Sequence, residues 1–96
     1  MKINKKQEKE LFHYMERELK KLEQVFKKIK LKEKKFSNTF NLALSYFKDS
    51  KHFYKKQEYV KCFELLNYTW GLLDALAISK GILVPKTIKK WFKIEQ

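Results

Sequence analysis

The chain has 96 residues, a net charge of +12, 44% hydrophobic and 16% aromatic side chains. That describes one domain with material for a modest core, and it excludes a disordered chain, which has few aromatics and little to bury. Two glycines and one proline are too few for strands joined by tight turns, so an all-α fold is expected.

The N-terminal stretch MKINKKQEKE is charged from the start, unlike a signal peptide, and no apolar run nears the ~20 residues of a membrane helix. A soluble, cytoplasmic protein is expected. Cys62 is the one cysteine, so no intramolecular disulfide can form.

In chain order, the first helix is predicted over about 4–31, with Asn4 as N-cap. Leu11, Met15, Leu19, Leu22, Phe26 and Ile29 recur at steps of four and three, placing one apolar stripe on one face, widened by Phe12 and Val25. A lysine-rich break follows. The second helix is predicted over about 37–55, with Phe36, Phe40, Ala43, Phe47, Ser50 and Tyr54 as its stripe. Thr39, Leu42, Tyr46, Asp49 and Phe53 form a parallel row.

The turn near Lys56-Gln57 is short, so the next helix, about 58–80, should be its antiparallel neighbour. Its expected stripe is Tyr59, Phe63, Leu66, Trp70, Leu73 and Ala77, and Gly81 is the expected left-handed stop. Leu65, Tyr68, Leu72 and Ala75 form a second stripe on the opposite side. A helix apolar on both sides needs two covers. The basic C-terminal segment, 82–96, is one candidate cover: Ile82 to Pro85 should be extended, followed by a short helix, Ile88 to Ile94, bearing Trp91 and Phe92. A second copy of the chain is the other.

The segment from Tyr46 to Ile82 resembles the archaeal domain-of-unknown-function family 357. The likeness rests on Tyr46, Asp49 and Phe53, then a turn, then Tyr68, Gly71, Leu73, Asp74 and Ala75, closing on Gly81. It covers over a third of the chain. The family's turn usually holds Gly-Asp where this chain has Lys56-Gln57, and the tail after Pro85 has the look of an addition. The resemblance implies an up-and-down three-helix bundle, here with a short C-terminal helical appendage, and it implies no activity.

Chemistry finds little support in the residues. With the hairpin centred between Lys56 and Gln57, Asp49 lies level with Glu64, so Asp49 and Asp74 are ~15 Å apart along the bundle. Paired hydrolytic carboxylates work at about 5–10 Å. Asn67, Gly71 and Asp74 share one helix face. A glycine inside a helix costs roughly 1 kcal/mol relative to alanine, so Gly71 signals a close approach, by another helix or by a ligand. His13, His52 and Cys62 lack metal-ligand spacing, although the hairpin brings Cys62 near the level of His52. Two isolated glycines make no phosphate loop. No cofactor, metal or catalytic residue is expected, and the chain is read as a non-enzyme.

The positive charge allows a nucleic-acid reading. Residues 1–35 carry net +7, residues 36–85 +2 and residues 86–96 +3. Candidate contacts are Lys27, Lys28, Lys30, Lys32, Lys34 and Lys35 in one run, and Lys86, Lys89, Lys90, Trp91 and Lys93 in the tail, where cations interleave with aromatics. Against it, the chain has 22 lysines and one arginine, Arg17. Arginine is the better bidentate phosphate ligand, and AT-rich codons alone would enrich lysine. The leading expectation is a protein-interaction or self-association module using the second face of the third helix, with RNA or DNA binding as the alternative.

Overall fold

The computed structural model describes residues 4–92. Three long helices, α1 (Lys5–Lys28), α2 (Ser37–Lys55) and α3 (Tyr59–Ile78), form the bundle. A two-residue strand β1 (Lys30–Leu31) follows α1, a 3₁₀ turn (Lys34–Phe36) leads into α2, and β2 (Ile82–Leu83) and a short helix α4 (Lys86–Lys89) follow α3. The fold is the all-α three-helix bundle with a helical appendage that the periodicity predicts.

Asn4 caps α1 as expected: its Oδ1 accepts from the backbone N–H of Gln7 at 2.8 Å, and the Gln7 side chain accepts in return from the Asn4 N–H. This reciprocal pair satisfies two otherwise orphaned donors. The helix ends at Lys28, three residues before the predicted limit. Lys30 and Leu31 instead pair antiparallel with Leu83 and Ile82. The Lys27–Lys35 run is therefore part helix end, part strand and part 3₁₀ turn, with the Lys32 N–H donating to the Gly81 carbonyl at 2.8 Å.

The line that α1 buries is Met15, Glu18, Leu22 and Val25, continued by the cap residue Ile29. Leu11, Leu19 and Phe26 flank it, partly buried, so the predicted stripe is rotated toward Val25. From α2 come Ala43, Phe47 and Ser50, as predicted. From α3 come Cys62, Leu66, Thr69, Leu73 and Leu76; Leu66 and Leu73 of the predicted stripe are thus in the core, while its Tyr59, Phe63, Trp70 and Ala77 lie at the rim. The hydroxyls admitted to this core are satisfied locally: Ser50 donates to the Phe47 carbonyl and Thr69 to the Leu65 carbonyl, each at 2.7 Å.

Both long-helix ends at α2 and α3 close in the same way. The Gln57 N–H donates to the Tyr54 carbonyl and the Glu58 N–H to the Phe53 carbonyl; likewise Lys80 to Ala77 and Gly81 to Leu76. This double bond pattern needs a left-handed residue just past the helix. Gln57, φ 61°, and Lys80, φ 58°, supply it. Gly81 was expected in that role, but it has no positive φ; it is buried one position later. The register is within one residue of the one derived from the short turn: Tyr46 meets Tyr68 and Lys61 lies over Phe53.

The tail turns back onto α1 and α3. Its helix is the four residues Lys86–Lys89, beginning earlier than predicted, with Pro85 at its N-cap. Ile88 and Phe92 are buried, and Phe92 meets Trp70 edge-on with centroids 5.5 Å apart. Lys93 and Ile94, named in the sequence reading, lie outside the described residues.

Candidate functional site

A cleft of about 420 Å³ lies between α1 and α3. Tyr14, Arg17, Glu18 and Lys21 line it from α1, Asn67, Trp70, Gly71 and Asp74 from α3, and Trp91 from the tail. Each helix contributes positions three and four apart, which face one way. The Tyr14 hydroxyl donates across the cleft to Asn67 Oδ1 at 3.1 Å. The same offset between these two parallel helices sets Glu18 level with Gly71, and Lys21 level with Asp74.

Glu18 organises the α1 wall. It sits on the buried line between Met15 and Leu22 and is 7% exposed. Arg17 Nε donates to its Oε2 at 3.1 Å, and Lys21 Nζ approaches the same oxygen at 3.4 Å. The two cations also reach rings at opposite ends of the cleft: the Arg17 guanidinium is 5.5 Å from the Tyr14 centroid and Lys21 Nζ 5.9 Å from that of Trp91. Partial burial, then the Glu18 carboxylate, push the Tyr14 hydroxyl above its ordinary pKa. The Trp70 indole N–H is closed off from solvent and meets no acceptor among the described residues.

Gly71 faces this cleft rather than a packed neighbour. A Cβ built on it meets nothing within 4 Å. Of the two readings of Gly71, the close approach of another of the described helices is thus removed. Asp74 lines the cleft beside it, whereas Asp49 is exposed on α2. The hairpin register keeps the two carboxylates about nine residues apart, ~14 Å along the bundle.

The other family-motif positions serve packing or the outer surface. Leu73 is in the core and Gly81 is buried against Phe36. Phe53 lies under Lys61 near the turn. Tyr46, Tyr68 and Ala75 mark the outer face of the α2–α3 hairpin, where Tyr68 is 59% and Leu42 43% exposed. The described part of the tail, to Phe92, covers the Trp70 edge of α3, and among the described residues the outer face is left open.

Cys62 is fully buried, and burial pushes its thiol up to about 11, while His52 is exposed and packs on Phe53. Among the described residues no three His, Cys, Asp or Glu side chains gather in a group that could hold a metal. None of their helices is long and apolar enough to cross a membrane.

Of the lysines named for nucleic acid, Lys27, Lys28, Lys30, Lys32, Lys34, Lys35, Lys86 and Lys90 are exposed and Lys89 is half-buried. The β1–β2 pairing sets the first group beside the start of the tail. Trp91 is half-buried beneath Lys21 instead of standing free. Tyr14, Glu18 and Lys21 were missed by sequence reasoning. The signal for Glu18 was present: a lone carboxylate interrupts the series Met15, Leu22, Val25, Ile29.

The geometry defines a small helical-bundle protein with a polar, aromatic-lined cleft and an apolar outer hairpin face. The chain belongs to a family described as protein of unknown function (DUF357), whose sequence profile matches residues 12–82. That span includes every cleft residue except Trp91. No curated protein and no solved structure matches the chain.

Proposed function

We propose that this chain is a non-enzymatic helical interaction module that self-associates through the outer face of the α2–α3 hairpin. The observation that carries the reading is the row on that face: exposed Leu42, Tyr68 and Ala75, with half-buried Tyr46 and Leu72 among them. The row contains no lysine, although lysines number 22 in the chain. An acidic partner would be drawn to the lysine-rich end of the molecule rather than to this patch. A second copy matches it: two hairpins packed face to face form a four-helix layer, each supplying the other's missing apolar cover.

Sedimentation equilibrium over a concentration series tests the reading. A dimer is expected, with Tyr68→Ala weakening it and Leu72→Asp dissociating it. Tyr68 is exposed enough for its replacement to leave the fold intact, and thermal melts check this for both variants. A chain that stays monomeric at the highest attainable concentration overturns the proposal, as does a dimer indifferent to both substitutions.

A second reading has its own support. The β1–β2 pairing places the Lys27–Lys35 run beside the basic tail, concentrating charge at one end of the bundle. An RNA or DNA strand bound there would release counterions, so its affinity would fall steeply with salt, and removing residues 86–96 would weaken it. Salt-insensitive binding to a mixed RNA pool argues decisively against this reading.

A further inference from the structure

We propose that the cleft between α1 and α3 binds a nucleotide: a planar heteroaromatic ring bearing a phosphate. This site is separate from the outer hairpin face. Its floor is Gly71. A glycine inside a helix is a standing cost, and nothing among the described residues approaches closely enough to require it, since an added Cβ would meet none of their atoms within 4 Å. What the missing side chain provides is bare helix backbone facing the cleft, against which a flat ring can lie closely.

The α1 wall supplies the anion site. The chain's one arginine, among 22 lysines, stands here one turn from Lys21. Arg17 engages Glu18 through Nε, which leaves the two terminal amino groups of its guanidinium for phosphate oxygens. Glu18 thereby positions both cations. A lysine at position 17 would offer a point charge without the fork.

The remaining groups suit a ring with acceptors. Asn67 uses Oδ1 to accept from Tyr14, so its amide NH₂ is the group left to donate. Trp91 closes the Lys21 end with an aromatic surface. Asp74 lines the opposite wall. The volume, about 420 Å³, falls within the range of small-molecule sites, and the +12 charge draws anions toward the surface.

The test titrates the full chain with the four nucleoside monophosphates, ribose 5-phosphate, inorganic phosphate and a short single-stranded RNA. Tryptophan fluorescence and calorimetry read the binding. Saturable binding of at least one monophosphate or of the RNA is expected, with ribose 5-phosphate and phosphate about tenfold weaker or more. Arg17→Lys should weaken binding about tenfold. Gly71→Leu should abolish it while the melting temperature holds, and Tyr68→Ala should leave it unchanged. Binding of the monophosphate identifies a free nucleotide, and binding of the RNA alone identifies a base presented by a strand. The proposal is overturned by the absence of saturable binding, by equal affinity for inorganic phosphate, or by an affinity that Arg17→Lys and Gly71→Leu leave intact.

Discussion

Gly81 is packed so closely on Phe36 that a Cβ added to it would stand 2.6 Å from the ring's Cδ2. The glycine is there for space, not for backbone freedom, since its φ is not positive. Phe36 enters α2 from the 3₁₀ turn and Gly81 leaves α3, so this contact ties the start of α2 to the end of α3. Gly81→Ala is expected to destabilise the protein by about 1–3 kcal/mol, the usual cost of overpacking. Urea denaturation, reading the midpoint at constant slope, checks this.

Gly71 should respond in the opposite sense. It is mid-helix with open space around its missing side chain. Gly71→Ala is expected to stabilise the fold by roughly 0.5–1 kcal/mol, through helix propensity and a less flexible unfolded chain. A lowered melting temperature would mean that Gly71 is packed after all.

Among the described residues, the non-glycine residues Gln57 and Lys80 hold left-handed backbone. For residues with a Cβ that conformation costs about 1 kcal/mol, and glycine removes most of the cost. Gln57→Gly and Lys80→Gly should each stabilise by up to ~1 kcal/mol. The sites lie at opposite ends of α3, so the double variant should be near additive. Thermal melts of the three variants check both statements.

Alkaline pH should weaken the protein through Cys62. Burial raises its thiol from 9.0 to about 11. The unfolded chain ionises above its own value while the folded chain keeps the proton. The protonated fold is unaffected below pH 9, and stability is then lost as pH rises from 9.0 toward about 11. Tyr14, raised first by burial, and Tyr54, raised first by burial and then by Glu16, act in the same sense at higher pH. Cys62→Ala should flatten the first part of that decline in urea melts. At neutral pH the native thiol should react with alkylating reagents far more slowly than the unfolded chain.

The hairpin was legible because its signals repeat. Ala43, Phe47 and Ser50 recur at helical spacing, and a short turn leaves one antiparallel register, which the Tyr46–Tyr68 and Lys61–Phe53 contacts satisfy to within one residue. The β1–β2 pair was not legible, because two residues per strand carry no periodicity and the partners are far apart in sequence. Their pairing ended α1 early and redistributed the lysine run. Gly81 was misread for a related reason: a glycine after a helix signals either a left-handed turn or a tight contact, and only the position of Phe36 decides. The cleft was half visible. Asn67, Gly71 and Asp74 could be placed on one face, but which chain segment opposed them depended on how α1 leaned and where the tail landed.

The short β1–β2 pair has a consequence for the order of assembly. It makes the whole of α2 and α3 the contents of one closed loop, running from Leu31 to Ile82. A loop that long is entropically expensive to close while its contents are unstructured, whereas α2 and α3 meet through a turn of a few residues. The hairpin should therefore form first and bring residues 31 and 82 within reach of each other. The tail follows β2 in the chain, so it should dock only after this loop has closed, and Trp91 would complete the cleft last.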